Sequence, residues 1–149
     1  SDTWGLVGFY YLGVDNQGSA REAFEKAIEI DYKYTYGIFN LAVMLYNEKD
    51  YSAAMNLLYD FDRYGGSPIE GYDLAIHIAE STGNSIDNYY FTAKRMSLNS
   101  EWKGALRILS SCLAISPNFE PALRLKRSCD ESLAHQELKS TLTKANRNK

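Results

Sequence analysis

Residues 4–27 read WGLVGFYYLGVDNQGSAREAFEKA, and this stretch decides the fold. Trp4, Val7, Gly8 and Tyr11 are separated by three and four residues, so they share one stripe of a helix. Ala20, Phe24 and Ala27 repeat that spacing further on. Between the two lies Asp15-Asn16-Gln17-Gly18-Ser19, a run of turn-forming residues. Ser19 with Glu22 makes a capping box for the second helix. The stretch predicts two short helices over residues 3–14 and 19–31, joined tightly and therefore antiparallel.

Moving outward by 34 residues, the pattern recurs. Ile38, Leu41, Ala42 and Leu45 take the places of the first stripe, and Ala54 and Leu58 those of the second. The break becomes Asn47-Glu48-Lys49-Asp50, with Asp50 suited to an N-cap. A third copy reads Tyr89, Thr92, Ala93 and Met96, then Ala105, Leu109 and Cys112, ending at Pro117. Ala105 follows Ala54 by one and a half repeats, so one unpaired helix must lie between. Ser67-Pro68-Ile69-Glu70 offers its start, as a capping box with Pro in the first turn. Gly83 and Asn84 offer its end, giving a helix over about residues 69–82.

Small residues explain why the spacing recurs. Gly8, Ala42 and Ala93 fill one slot, and Ala20, Ala54 and Ala105 another. A mid-helix glycine costs about 1 kcal/mol relative to alanine. It belongs where two helices approach closely, with Trp4, Tyr11 and Phe24 filling the space beside it.

Composition bounds the function. The 149 residues suit one domain with a real core, and they carry a net charge of −3. That balance argues against nucleic acid, which calls for a basic face. No apolar run reaches the length of a membrane span, so no membrane insertion is expected. Ser1-Asp2-Thr3-Trp4 is neither a signal peptide nor a natural initiator and reads as a cut end, with room for an upstream portion. Cys112 and Cys129 are too few and too far apart for a metal motif, and His77 and His135 have no neighbours at ligand spacing. There is no phosphate-cradling glycine loop, no Gly-x-Ser-x-Gly elbow and no His-Glu-x-x-His. Asp60 with Asp62, and Asp130 with Glu131, read as solvated faces. The expectation is a protein that is not an enzyme and has no cofactor. The sequence leaves the compartment open, with a cytoplasmic location favoured.

These residues resemble the tetratricopeptide repeat (TPR) family. The first copy matches at Trp4, Gly8, Tyr11, Ala20, Phe24 and Ala27, with Tyr32 where the family has proline. The second keeps Asn40-Leu41-Ala42, Tyr51 and Ala54, but has Phe61 where a small residue is usual. The third keeps Trp102, Ala105 and Pro117-Asn118. The three copies, about residues 1–34, 35–68 and 86–119, cover some two thirds of the chain. The resemblance implies an all-α, right-handed α-solenoid of seven to eight antiparallel helices in a single domain spanning residues 1–149. Residues 119–136 then form a capping helix, and residues 137–149, with Lys139, Lys144, Arg147 and Lys149, a flexible basic tail. An inserted half-repeat would flip the layer of everything after residue 85, and the sequence leaves that choice open.

The resemblance also implies a concave groove lined by the first helix of each pair. In the first copy its positions are Asp2, Gly5, Leu6, Phe9, Leu12 and Gly13. In the second they are Tyr36, Phe39, Asn40, Val43, Tyr46 and Asn47. Tyr72, Asp73 and Ile76 join them if the extra helix continues the layer. The set mixes aromatic contact area with amides able to pair with a peptide backbone. Phe9, Phe39 and Tyr46 read equally well as core, although Phe9 and Phe39 lie opposite Gly8 and Ala42. Asn40 fits the family's clamp for acidic chaperone tails; Gly5, Phe9, Asp87 and Phe91 do not, so an apolar segment or helix is the better partner. The leading function is a scaffold that binds a protein or peptide. The alternatives are an accessory domain of a larger enzyme such as a transferase, which would bind another part of its own polypeptide, and a homodimer formed through Tyr89-Tyr90-Phe91.

Overall fold

The computed structural model describes residues 1–148. They form eight α-helices and, among the described residues, no strand. The described residues group into two compact units, Ser1–Thr82 and a second that begins at Gly83. Lys149 itself, expected in the basic tail, lies outside the described residues.

The first unit contains α1 (Asp2–Gly13), α2 (Gln17–Ile30), α3 (Thr35–Asn47), α4 (Tyr51–Arg63) and α5 (Glu70–Thr82). Each helix packs on the next, and α3 also touches α5. The second unit contains α6 (Ser85–Leu98), α7 (Trp102–Ile115) and α8 (Glu120–Arg147); α7 packs on both others, and α6 touches α8.

The repeat is present in the backbone as well as in the side chains. Asp15, Lys49 and Ser100 each adopt a left-handed conformation, with φ of 55°, 63° and 61°. These positions are 34 and 51 residues apart, the same shifts as in the sequence. Each closes its helix with the same pair of bonds. After α1, Asp15 N–H donates to Leu12 O and Asn16 N–H to Tyr11 O; the α3 and α6 ends reproduce this at Lys49/Asp50 and Ser100/Glu101. Two carbonyls of the last turn are thereby satisfied. Three hairpins of the same local geometry place Ala20, Ala54 and Ala105 identically, and all three are wholly buried.

The small slots carry the close approaches. A Cβ on Gly8 would lie 2.7 Å from the Phe24 ring, which is wholly buried. Ala42 and Ala93 are likewise inaccessible. Phe61 departs from the repeat pattern, and the compensation lies on α5: a Cβ on Gly71 would run into the Phe61 ring. The small residue has moved from one helix to its neighbour.

Several boundaries differ from the sequence reading. The α2 cap is Asn16, not Ser19: the Asn16 side chain accepts from Ser19 N–H at 3.1 Å, and the helix starts two residues earlier. Asparagine accepts as readily as serine, and its place directly after the left-handed Asp15 decides between them. Asn16→Ala should therefore lower stability by about 1 kcal/mol, whereas Ser19→Ala should change it little; urea denaturation of both variants checks this. Asp50 caps α4 as expected, accepting from Ala53 N–H at 3.2 Å. Ser67 does not cap α5, which begins at Glu70, where Gly71 and Tyr72 N–H donate to Pro68 O and Ile69 O in tight 3₁₀-type turns. Gly83, at φ 69°, follows α5, while Asn84 caps α6 by accepting from Asp87 N–H.

The last helix does not stop at residue 136. It runs 28 residues to Arg147, through the segment expected to be a tail. Glu137, Leu138, Lys139, Leu142, Lys144, Ala145 and Arg147 are strong helix formers, and the segment has no glycine or proline to end the helix. Tyr90 and Phe91, expected at a dimer face, are instead core residues of the second unit, with Tyr90 edge-on to Phe119.

Candidate functional site

The first helices of the pairs in the first unit, α1 and α3, together with α5, bring most of the expected groove residues to one surface. Phe9 of α1 is 41% exposed and rests edge-on against the buried Phe24 ring, with centroids 5.6 Å apart. On its other side it meets Tyr36 of α3, 44% exposed, at 6.3 Å. Phe24 occupies the gap opened by Gly8, so the close approach of α1 to α2 also seats Phe9.

Along α3 the face continues through Phe39, Asn40 and Val43, all half-buried. Phe39 leans on Phe61 of α4 at 6.3 Å. The Asn40 amide donates to Tyr36 O, one turn earlier, at 2.7 Å. One of its two N–H groups is thus used within the helix, and the other N–H and the carbonyl oxygen are left to pair with a peptide backbone. At the end of α3 the Tyr46 hydroxyl is 2.9 Å from His77 Nε2 on α5, and the two rings stack edge-on at 5.6 Å. Asn47 and Asp73 are exposed and Ile76 is half-buried.

Two expected groove residues, Tyr72 and Gly5, are buried, and a third, Leu12, is half-buried against the core. Tyr72 is 2% exposed; its ring packs on Phe61 and its hydroxyl donates to Asp62 at 3.1 Å. Burial, and then the neighbouring Asp62 carboxylate, push its phenol well above the usual range. Tyr72 therefore holds α5 against α4. Leu12 packs on the cluster of Ala20, Phe24 and Met44. Gly5 is buried under the Tyr34 side chain. Burial also raises the Tyr34 phenol, with Asp2 and Tyr36 adding to the effect.

His77 is the residue of this surface that the sequence reading missed. It lies one turn beyond Asp73 and next to Ile76, so the helical stripe drawn through those two residues passes beside it. Among the described residues no group of three or more His, Cys, Asp or Glu side chains could hold a metal ion. Cys112 and Cys129 are buried free thiols whose pKa values burial raises, which suppresses the reactive thiolate. No described helix is long and apolar enough to cross a membrane. No protein-family model matches this chain, and no curated protein matches it.

Proposed function

We propose that the first unit is a non-catalytic binding module whose α1/α3/α5 face holds an apolar peptide or helix, and that its stacked pairs are TPR-like repeats of a right-handed α-solenoid. One observation carries this reading. Partly exposed rings touch across successive helices, Phe9 to Tyr36 and Tyr46 to His77, so the face is continuous from α1 to α5. Aromatic side chains give large contact area for few lost rotamers. Phe9, Tyr36 and Phe39 supply that area, and the Asn40 carbonyl and the Tyr46–His77 pair supply polar contacts at its middle and end. The partner that suits this face is a segment with spaced apolar anchors.

The test is capture of partners from the native cell extract, identified by mass spectrometry, followed by affinity measurement on two variants. Asn40→Ala removes the acceptor and should weaken binding by about 0.5–1.5 kcal/mol. Val43→Glu places a charge in the apolar middle of the face and should weaken it further. Both variants should keep thermal stability within about 1 kcal/mol of wild type, as surface changes do. Unchanged affinity in a folded double variant would move the site to another face. Unfolding by Val43→Glu would show that Val43 is core.

A further inference from the structure

The first hairpin carries a second apolar surface, on the side of α1 that faces neither α3 nor the proposed peptide site. Trp4, Val7 and Tyr11 of α1 and Ala23 of α2 form its floor. Leu6 and Tyr10, 71% and 66% exposed, extend it along α1. An apolar helix of this kind is ordinarily covered on all sides.

The repeat shows what shape this surface receives. Shifted by 34 residues, Thr3, Val7 and Tyr10 become Gly37, Leu41 and Met44, and all three are buried in α3. A Cβ on Gly37 would lie 3.3 Å from Ile28, and Met44 packs on Ala20 and Phe24, so the helix that covers them is α2. At the matching positions of α1, Thr3 and Tyr10 are exposed and Val7 is half-buried, and no other described helix of the first unit lies over them as α2 lies over α3.

Charge narrows the choice of helix. Glu22, Glu25 and Glu29 line the α2 side of the groove. Glu25 has Arg21 at 3.9 Å, and Lys26 lies over the Trp4 ring. Residues 1–31 carry six acids against two bases, a net −4. The opposite balance occurs in the distal part of α8: residues 134–148 hold Lys139, Lys144 and Arg147 against Glu137, a net +2. Ala134, Leu138, Leu142 and Ala145 fall on one stripe there, and all are exposed. Lys139 and Lys144 flank that stripe on either side.

We propose that the distal part of α8 from one copy of this chain docks in the α1–α2 groove of a second copy. Leu138 and Leu142 seat as i and i+4 anchors on Trp4, Val7 and Tyr11, and the flanking lysines face the glutamate rim. The contact is heterologous, groove to helix rather than like to like. It uses residues separate from the peptide face, so either can fail without the other.

The test is sedimentation velocity on the intact chain from about 1 µM to about 500 µM, a range that covers weak specific association. Wild type should self-associate, less so at high salt, which screens exposed charges. Tyr10→Glu breaks the groove and Leu138→Glu with Leu142→Glu breaks the helix stripe; each should weaken association by more than about tenfold. Circular dichroism and melting should show both variants folded. The decisive result is their mixture: one retains an intact helix and the other an intact groove, so together they should form a 1:1 pair and nothing larger. If the stripe variant loses helix content, Lys139→Glu with Lys144→Glu replaces it; its weakened association should recover when mixed with Glu22→Lys and Glu29→Lys protein. A wild-type chain that stays monomeric overturns the proposal and leaves the groove to a helix of another protein. Association that survives the variants, or a mixture that fails to pair, overturns it equally.

Discussion

Replacing Phe61 by alanine should destabilise the first unit by about 3–5 kcal/mol, the cost of deleting a buried phenylalanine and leaving a cavity. Phe61 is wholly buried and is the ring on which three helices meet: Phe39 of α3 at 6.3 Å, Tyr72 of α5 at 5.3 Å, and the Gly71 backbone. Collapse into the cavity is hindered because the Tyr72 hydroxyl is tied to Asp62. The same geometry predicts strong coupling to Gly71. In wild type, Gly71→Ala drives a methyl into the Phe61 ring and should destabilise the fold. In the Phe61→Ala background the collision is gone, and Gly71→Ala should instead stabilise by up to about 1 kcal/mol through helix propensity. Urea unfolding read by Trp4 fluorescence in Trp102→Phe protein follows the unit concerned, since each unit has one tryptophan. Additive effects of the two changes would disprove the exchange of bulk between α4 and α5.

That exchange marks where the sequence stops being readable. The slots at Gly8, Ala20, Ala42, Ala54 and Ala105 could be found by spacing alone, because each contact they make recurs with the repeat. The lone α5 followed from arithmetic, since a shift of 51 requires an odd helix. Phe61 broke the pattern, and nothing near it in sequence announced that Gly71 would compensate. Extending the layer into α5 places Tyr72 in the groove, whereas its ring fills the space beside Phe61. The caps show a smaller version of the same limit. Asn16 and Ser19 are both good capping residues, and the left-handed turn at Asp15 selects the first. In α8, charged residues without strong apolar periodicity read as a tail, although most of residues 137–147 favour helix and none is glycine or proline. On the proposed site, Phe9, Tyr36, Asn40 and Val43 could be named only because the resemblance to TPR repeats says which face of the first helices lines a groove. The Tyr46–His77 contact needed the packing of α3 against α5, which no local pattern encodes.

Gly8→Leu should cost at least about 1–3 kcal/mol, because overpacking a filled core forces side chains off their rotamers or moves the backbone. The first added atom alone would come within 2.7–2.9 Å of three Phe24 ring atoms, and leucine brings three more. Phe24 has little room to yield: it is wholly buried in a cluster with Ala20 and Met44, with Tyr11 and Leu12 packed on it and Phe9 edge-on. Leucine is the better helix former by nearly 1 kcal/mol, so any net loss understates the steric conflict. Gly13→Ala supplies the control. Gly13 lies in the same helix with nothing within 4 Å of an added Cβ, so this change should be neutral or stabilising by up to about 1 kcal/mol. The Gly8 change should also reach the proposed site. Phe24 seats Phe9, and Phe9 carries the contact to Tyr36, so a displaced Phe24 ring should break the peptide face at its α1 end. Gly8→Leu is therefore expected to lower both the melting temperature and partner affinity, and Gly13→Ala neither. Wild-type stability in Gly8→Leu would refute the slot. A destabilised Gly8→Leu protein that still binds its partner fully at a temperature where it is folded would show that Phe9 lies outside the site.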